Sequence, residues 1–222
     1  MTQLDFTGPL QVLGRMPASE VCVIARTLDP VGTDGALTVL PTHDINTAPD
    51  LDLICVPGGF GIASVAKSQI SIEFIRRQAL HARYVTSVCT GALILGAAGL
   101  LRGKKATTHW AYHDLLPLFG AEPVKARVVR DGNVFTGGGV TAGIDFALTI
   151  LAEVAGPDLA KTVQLGLEYN PAPPFNSGHP DIADPVALEA ANRRYAPALA
   201  ETRAAFENWS DPRNSGTKWD RK

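Results

Sequence analysis

The sequence has few cysteines and almost no net charge. Its 3 cysteines in 222 residues are too few and too scattered for a disulfide framework, and the absence of a Cys-x-x-Cys pair argues against a zinc ribbon. Its 20 lysines and arginines nearly balance its 22 aspartates and glutamates, so the sequence has no excess of positive charge with which to bind nucleic acid or an anionic membrane. We therefore expect a cytoplasmic protein that has no nucleic-acid partner.

The first residues of this sequence do not form a signal-peptide pattern, and we expect no membrane span. Its first residues carry neither the basic cluster nor the apolar run of a signal peptide. The uncharged segment from Tyr84 to Leu101 has 18 residues, which is the minimum for a membrane span, but three of them are glycines and several are polar. We expect it to form a buried strand and a buried helix, with no membrane partner.

Apolar runs alternate with helical patterns along the chain, and Leu4 to Pro9 is expected to be a loop that leads into the first helix, with Pro9 near its first turn. Asp131-Gly132 predicts a hairpin between 124–130 and 134–136, and Pro197 is expected to interrupt the last helix. Further strands are predicted at 21–25, 37–40, 51–56, 84–88 and 105–108, and helices at 70–83, 91–101, 110–119, 141–155, 157–169 and 186–209. Continuous apolar strands between helices are typical of a mostly parallel α/β sheet that is covered on both faces.

Cys89 lies where a predicted strand runs directly into a helix, with Gly91 two residues later. This is the layout of a nucleophile elbow, and a helix N-terminus is expected to lower the pKa of a thiol there. The backbone N–H groups of Thr90 and Gly91 could stabilise a developing anion. The alternative is a small buried hydrophobic residue. Cys22 and Cys55 fall within predicted strands, where a structural role is favoured.

Two glycine-rich turns follow other predicted strands. Gly58 and Gly59 come after the strand at 51–56, and Gly138 precedes the helix that begins near Val140. In an open α/β sheet such turns lie at the carboxyl edge, where their amides can face a substrate. Plain tight turns explain the same glycines equally well.

Three titratable residues are further candidates. Asp5 could shuttle protons if burial raises its pKa, or it could simply cap the helix that follows. His109 and His113, four residues apart, could share a helix face. No Glu completes a His-Glu-x-x-His motif and no third ligand is evident, so we expect no metal.

Several motifs together resemble the DJ-1/PfpI superfamily, and within it the isocyanide hydratases. The resemblance extends to about Pro185. Its motifs are Leu4-Asp5-Phe6-Thr7-Gly8-Pro9, Val56-Pro57-Gly58-Gly59, Ser87-Val88-Cys89-Thr90-Gly91, Thr107-Thr108-His109-Trp110, Gly139-Val140-Thr141-Ala142-Gly143-Ile144-Asp145 and the segment from Leu167 to Asn176.

The resemblance implies a flavodoxin-like α/β sandwich, a homodimer and an enzyme that needs no cofactor. It assigns catalysis to Cys89, Asp5 and Thr90, with Gly58 and Gly59 among the residues that line the substrate pocket; Gly138 and Val140 complete that lining. The implied reaction is the hydration of an isocyanide, a small-molecule substrate, to a formamide. Thr90 stands where peptidase-like relatives place a histidine, which argues against a protease.

The resemblance also implies a first strand that this sequence does not show before Leu4. We expect Asp5 to sit on a loose terminus as a result. The expected organisation is a DJ-1/PfpI (class I glutamine amidotransferase-like) domain at 1–185, a C-terminal helix at 186–206 and a flexible tail at 207–222.

Two other functions remain open. AraC-type regulators carry a similar domain for ligand sensing, but the 37 residues after Pro185 are too few for their helix-turn-helix pair. The other possibility is an inactive homologue truncated at its N-terminus.

Overall fold

The computed structural model describes residues 1–207 and Trp209. Its helices are α1 (Gln3–Leu13), α2 (Ile62–Ala66), α3 (Gln69–His81), α4 (Gly91–Ala97), α5 (Ala142–Ala155), α6 (Pro157–Gly166) and α7 (Pro185–Phe206), and a 3-10 helix spans Trp110–Phe119. Its strands are β1 (Ile24–Ala25), β2 (Val31–Gly32), β3 (Thr38–Val39), β4 (His43–Asp44), β5 (Leu53–Val56), β6 (Tyr84–Val88), β7 (Lys105–Ala106), β8 (Glu122–Pro123), β9 (Val128–Asp131) and β10 (Val134–Gly137).

The central sheet has four strands in the order β5-β6-β10-β9. β6 pairs in parallel with both β5 and β10, and β9 is antiparallel to β10 in the predicted hairpin. Val85 of β6 therefore lies opposite Ile54 on one side and Val134 on the other. The sheet is mostly parallel, as the apolar runs indicate.

The central strand β6 is buried on both faces, and its side chains alternate between two apolar clusters. Val85 packs with residues of α3 and α4, whereas Tyr84 and Val88 pack with residues of α1, α5 and α6. This alternation follows from the period of two in a strand. The resulting helix–sheet–helix layering confirms the expected flavodoxin-like sandwich.

The remaining strands form three small sheets of two strands each. β1 pairs in parallel with β4, β2 is antiparallel to β3, and β7 is parallel to β8. The predicted strand at 21–25 is thus reduced to Ile24–Ala25, and Cys22 lies before it. Within the described residues, β5 pairs only with β6 and forms one edge of the central sheet.

Both prolines that were expected to mark helix boundaries lie inside helices. The loop expected from Leu4 to Pro9 is part of α1, so that prediction is wrong. Pro9 is in the interior of this helix, where its ring packs on Gly143 of α5; a Cβ built at Gly143 would lie 3.2 Å from Pro9 Cδ. α7 continues through Pro197, so the predicted interruption is wrong. Since Arg193, four residues earlier, is exposed, water can hydrate the carbonyl that loses its N–H partner.

The end of α7 is anchored to the core by aromatic contacts. Phe119 packs edge-to-face on Phe206 and on Trp209, with ring centroids 4.9 and 5.0 Å apart, and Trp209 Nε1 donates a hydrogen bond to the Ala97 carbonyl. The predicted flexible tail at 207–222 lies outside the described residues, except for Glu207 and Trp209. Among the helices that the structure describes, none combines the length and apolar character needed to cross a bilayer.

Candidate active site

Cys89 occupies the predicted sharp turn between β6 and α4. Its φ is +55°, a left-handed conformation that costs an ordinary residue about 1–2 kcal/mol. Its backbone N–H donates to the Gly137 carbonyl at 3.0 Å. A Cβ at Gly91 would lie only 2.1 Å from the Val56 carbonyl oxygen, so the turn requires glycine there. Backbone strain at one side chain, held by neighbouring strands, is typical of functional sites.

Asp5 lies against Cys89 and is fully buried. Its Oδ2 accepts a hydrogen bond from the Gly58 N–H at 3.1 Å, and its carboxylate is within hydrogen-bonding reach of the Cys89 thiol. Its Oδ1 accepts no hydrogen bond of ordinary geometry from the described residues. Burial raises the pKa of Asp5 to about 6. Asp5 is therefore not a helix cap, and it can exchange a proton near neutral pH.

The thiol of Cys89 is harder to ionise than an ordinary cysteine. Burial raises its pKa well above the usual value, and the negative charge of Asp5 raises it further. The Thr90 N–H favours the thiolate but does not offset these two effects. The prediction that the helix N-terminus lowers this pKa is therefore wrong, because desolvation exceeds the stabilisation by the helix.

Asp5 does not sit on a loose terminus. The Thr2 N–H donates to the Gly58 carbonyl at 3.1 Å, and the Gln3 N–H donates to Asp34 Oδ1 at 3.0 Å. Asp34 in turn donates its N–H to the Met1 carbonyl at 3.0 Å. These bonds hold the start of α1 against the loop that follows β5 and fix the position of the carboxylate, contrary to the expectation from the sequence.

Thr90 joins the turn after Cys89 to the loop after β5. Its Oγ1 accepts a hydrogen bond from the Gly59 N–H at 2.9 Å and is 3.3 Å from the Gly59 carbonyl. The side chain is almost fully buried. The Thr90 hydroxyl thus binds the N–H of Gly59, and the N–H of the preceding residue, Gly58, binds Asp5. The structure brings Asp5, Cys89 and Thr90 into one cluster.

The amides expected to face a substrate are already engaged within the protein. Gly58 donates to Asp5, Gly59 donates to Thr90, and Gly138 donates to the Arg127 carbonyl at 2.8 Å. These three N–H groups therefore have protein acceptors in this structure, since buried amides take the nearest acceptor. That the three glycines line a substrate pocket stays a prediction. Gly58 also provides space, because a Cβ there would lie 2.6 Å from Thr90 Oγ1 and 2.9 Å from Asp5 Oδ2.

Val140 and His109 border the same region. Val140 is half-buried and packs with the apolar cluster that contains Cys89. Thr108, next to His109, donates its hydroxyl to the Cys89 carbonyl at 2.8 Å. Burial lowers the pKa of His109 to about 4, and its Nδ1 accepts from the Ala111 N–H. In the described part of the chain, no three His, Cys, Asp or Glu side chains are placed to hold a metal ion.

Sequence reasoning missed Tyr195, which α7 brings to this site. Its ring centroid lies 4.7 Å from that of His109, 5.6 Å from Trp110 and 5.8 Å from Phe60. Phe60 directly follows the glycines of the loop after β5. The helical pattern at 186–209 predicts α7 but gives no signal for the residues that it contacts.

Cys22 and one cavity lie apart from this chemistry, whereas Cys55 lies near enough to Asp5 that, besides burial, the negative charge of Asp5 also raises its pKa. Burial raises the pKa of Cys55 to about 11, as expected for a structural thiol, and Cys22 is half-exposed. A cavity of about 280 Å³ lies between α1 and α5, lined by Leu4, Thr7, Gly8, Gln11, Val12, Ile144, Leu167 and Tyr169. None of these is Asp5, Cys89 or Thr90, so the cavity is separate from the candidate site.

Comparison with known proteins points to one family. The sequence profile of the DJ-1/PfpI family matches residues 1–153. The chain is 58% identical to isonitrile hydratase of Pseudomonas putida over 197 residues, which cover 89% of this chain and 86% of that protein. A crystal structure of a ThiJ/PfpI family protein from Pseudomonas syringae superimposes with a TM-score of 0.90 at 41% identity and covers 93% of this chain and 86% of the other. The transcriptional regulator GbdR of Pseudomonas aeruginosa is 34% identical over 136 residues, which cover 59% of this chain but only 36% of the regulator.

Proposed function

The chain belongs to the DJ-1/PfpI family, and from that premise we propose that it hydrates an isocyanide to an N-substituted formamide. The enzyme that it resembles at 58% identity is named for this chemistry, since isonitrile is a synonym of isocyanide. The observation that carries the proposal is the buried pair of Asp5 and Cys89, in which a carboxyl group of raised pKa stands beside a strained cysteine.

The first step joins the sulfur of Cys89 to the terminal carbon of the isocyanide. The thiol proton moves to the Asp5 carboxylate as the carbon–sulfur bond forms, so a thiolate is not required beforehand. Asp5 then gives this proton to the same carbon. The product is a thioimidate, in which the carbon bears one hydrogen, is bonded to sulfur and keeps a double bond to nitrogen.

The second step hydrolyses the thioimidate. The Asp5 carboxylate, free again, accepts a proton from water as the water oxygen bonds to the carbon, and then gives that proton to the nitrogen. The carbon–sulfur bond then breaks as Asp5 moves the remaining hydroxyl proton to the sulfur, and the N-substituted formamide leaves. Isocyanide and water are consumed in equal number, so the reaction balances with protein groups alone.

Thr90 acts in this scheme by positioning Asp5. Its hydroxyl holds the Gly59 N–H, and the adjacent Gly58 N–H holds Asp5 Oδ2. The bond from Gly58 fixes one oxygen of the carboxylate, the bond from Gly59 to Thr90 holds the adjacent peptide, and Oδ1 is left to take up the proton. Such preorganisation reduces the motion needed for proton transfer.

A homodimer and a cytoplasmic location are part of the same proposal. Both follow from the family resemblance and from the composition of the sequence. Light scattering during gel filtration tests the first: a mass near twice 23.5 kDa is expected. Fractionation of the cells that produce the protein tests the cytoplasmic location: the protein is expected in the cytoplasmic fraction.

The direct experiment follows p-nitrophenyl isocyanide and its formamide by chromatography. We expect the wild-type protein to convert one to the other, and Cys89→Ala to lose about 1000-fold or more in rate. Cys22→Ala, which changes a cysteine outside the site, is the matched control and should retain the wild-type rate. A wild-type protein that binds the isocyanide without converting it would refute hydration and support a sensing domain.

A further inference from the structure

Tyr195 connects the two loops that flank Cys89. Its ring is stacked on Phe60 at an interplanar angle of 23°, and it also contacts His109 and Trp110. Phe60 belongs to the loop after β5, whereas His109 and Trp110 lie at the start of the 3-10 helix. One side chain of α7 therefore bridges parts of the chain that are about 50 residues apart.

Both loops are bonded to the turn that carries the nucleophile. Thr108, which precedes His109, donates to the Cys89 carbonyl, and Gly59, which precedes Phe60, donates to Thr90. The ring of Tyr195 therefore contacts residues that directly follow two residues hydrogen-bonded to the turn. Consistently, the pKa of Tyr195 is raised, first by burial and then by the negative charge of Cys89.

The four rings form an uncharged surface, which we call the aromatic wall: Phe60, His109, Trp110 and Tyr195. His109 is neutral at physiological pH because burial lowers its pKa to about 4. Phe60, Trp110 and Tyr195 are only partly buried, so they retain surface that a ligand can cover. Such a surface favours an apolar, preferably flat, group over a charged one.

An isocyanide bonded through its terminal carbon to sulfur must direct its N-substituent away from Cys89. We propose that Tyr195 is a specificity-determining residue, which completes the aromatic wall against that substituent and selects ring-bearing isocyanides over small ones. This inference rests on the proposed function. It assigns a role to α7, which lies outside the residues that match the family profile.

The test compares benzyl isocyanide with methyl isocyanide. We expect Tyr195→Ala to lower kcat/KM for benzyl isocyanide by about 10-fold, mainly through KM, because it removes apolar contact with the ring. The value for methyl isocyanide should change less than about 2-fold, which shows that the site is still folded. Tyr195→Phe, which keeps the aromatic ring, should show the same preference for the benzyl compound as the wild-type protein. Arg193→Ala, on the exposed side of the same helix, is the control for α7 itself.

A second measurement does not depend on hydration. N-benzylmaleimide and N-methylmaleimide share one electrophile, and peptide mass spectrometry gives the rate at which each alkylates Cys89. The benzyl-to-methyl rate ratio should exceed one in the wild-type protein and should fall in Tyr195→Ala. If the wild-type protein hydrates neither isocyanide but this ratio still falls, the proposed function fails and the role of Tyr195 stands. If the wild-type protein shows no benzyl preference, or if Tyr195→Ala leaves the preference unchanged, the inference is overturned.

Discussion

The carboxylate of Asp5 and the thiol of Cys89 lie within hydrogen-bonding reach of each other in a region closed to solvent. Each changes the ionisation of the other: the contact with Cys89 lowers the pKa of Asp5, and the charge of Asp5 raises that of Cys89. Because burial dominates at both groups, the pair holds one proton near neutral pH. The addition of a thiol to an isocyanide requires a carboxylate beside the sulfur that can accept the thiol proton and pass it to the carbon.

The ionisation of Asp5 should lower the stability of the fold. Its pKa is 3.8 when exposed and about 6 in the protein, so the stability that it contributes is complete below pH 3.8 and is lost as the pH rises through 6. This shift corresponds to about 3 kcal/mol. We expect Asp5→Asn to raise the free energy of unfolding at pH 7.5, by an amount that shrinks toward pH 4.5.

Urea denaturation of the wild-type protein and Asp5→Asn across this pH range measures the difference. Asp29→Asn, a change at an exposed aspartate, controls for the loss of a negative charge. A stability difference between the wild-type protein and Asp5→Asn that does not vary with pH would contradict the raised pKa.

The same substitution should make the thiol of Cys89 more acidic. Removing the negative charge of Asp5 removes the second largest cause of the raised Cys89 pKa. The ultraviolet absorbance of the thiolate, taken as the difference from a matching Cys89→Ala protein, should therefore appear at lower pH in Asp5→Asn than in the wild-type background. Turnover should nevertheless fall, because the proton acceptor is gone. An unchanged titration would show that the two groups do not interact.

Gly58 should not tolerate a side chain, whereas Gly61, three residues later, should. A Cβ at Gly58 would lie 2.6 Å from the Thr90 backbone nitrogen and from Thr90 Oγ1, whereas a Cβ at Gly61 meets nothing within 4 Å. We expect Gly58→Ala to displace Asp5 or Thr90 and to reduce kcat by about 100-fold. Gly61→Ala should stay near the wild-type rate. Steady-state kinetics with p-nitrophenyl isocyanide gives both values, and equal rates for the two variants would contradict the account.

The hydroxyl of Thr90 should matter more than its methyl group. Thr90→Val leaves the buried Gly59 N–H without its acceptor, which typically costs about 1–3 kcal/mol of stability. Thr90→Ser keeps the oxygen and should be close to the wild-type protein. Thermal unfolding and kcat measure the two consequences. A Thr90→Val protein as stable and active as Thr90→Ser would show that the hydroxyl does not position the loop.

Local sequence patterns predicted the helices and strands whose formation depends on interactions between residues close together in the chain. The apolar strand from Tyr84 to Val88 and the hairpin at Asp131-Gly132 form as expected, because burial and turn preference act over a few residues. The prolines were misplaced because tertiary contacts decide whether a helix tolerates them. Gly143 accommodates Pro9 across the interface between α1 and α5, a contact that no short window of the sequence contains.

In the candidate site, too, features set by neighbouring residues could be predicted and features set by distant elements could not. The position of Cys89 at a strand–helix junction could be read from the sequence, and its positive φ agrees with that reading. The pKa values could not be predicted, since they depend on burial by distant elements, and for Cys89 the expected direction was wrong. The engaged amides of Gly58, Gly59 and Gly138 and the reach of Tyr195 depend on contacts between segments far apart in the chain.

The central claim is that Cys89 forms a covalent bond to the isocyanide carbon. The most direct measurement mixes excess protein with p-nitrophenyl isocyanide, quenches it within one turnover with borohydride to reduce the carbon–nitrogen double bond, and maps the product by peptide mass spectrometry. The account predicts the mass of one reduced isocyanide on the peptide that contains Cys89, rising and falling before the formamide is complete. Formation of the formamide with no adduct at Cys89 at any time, and at the same rate in Cys89→Ala, would contradict it.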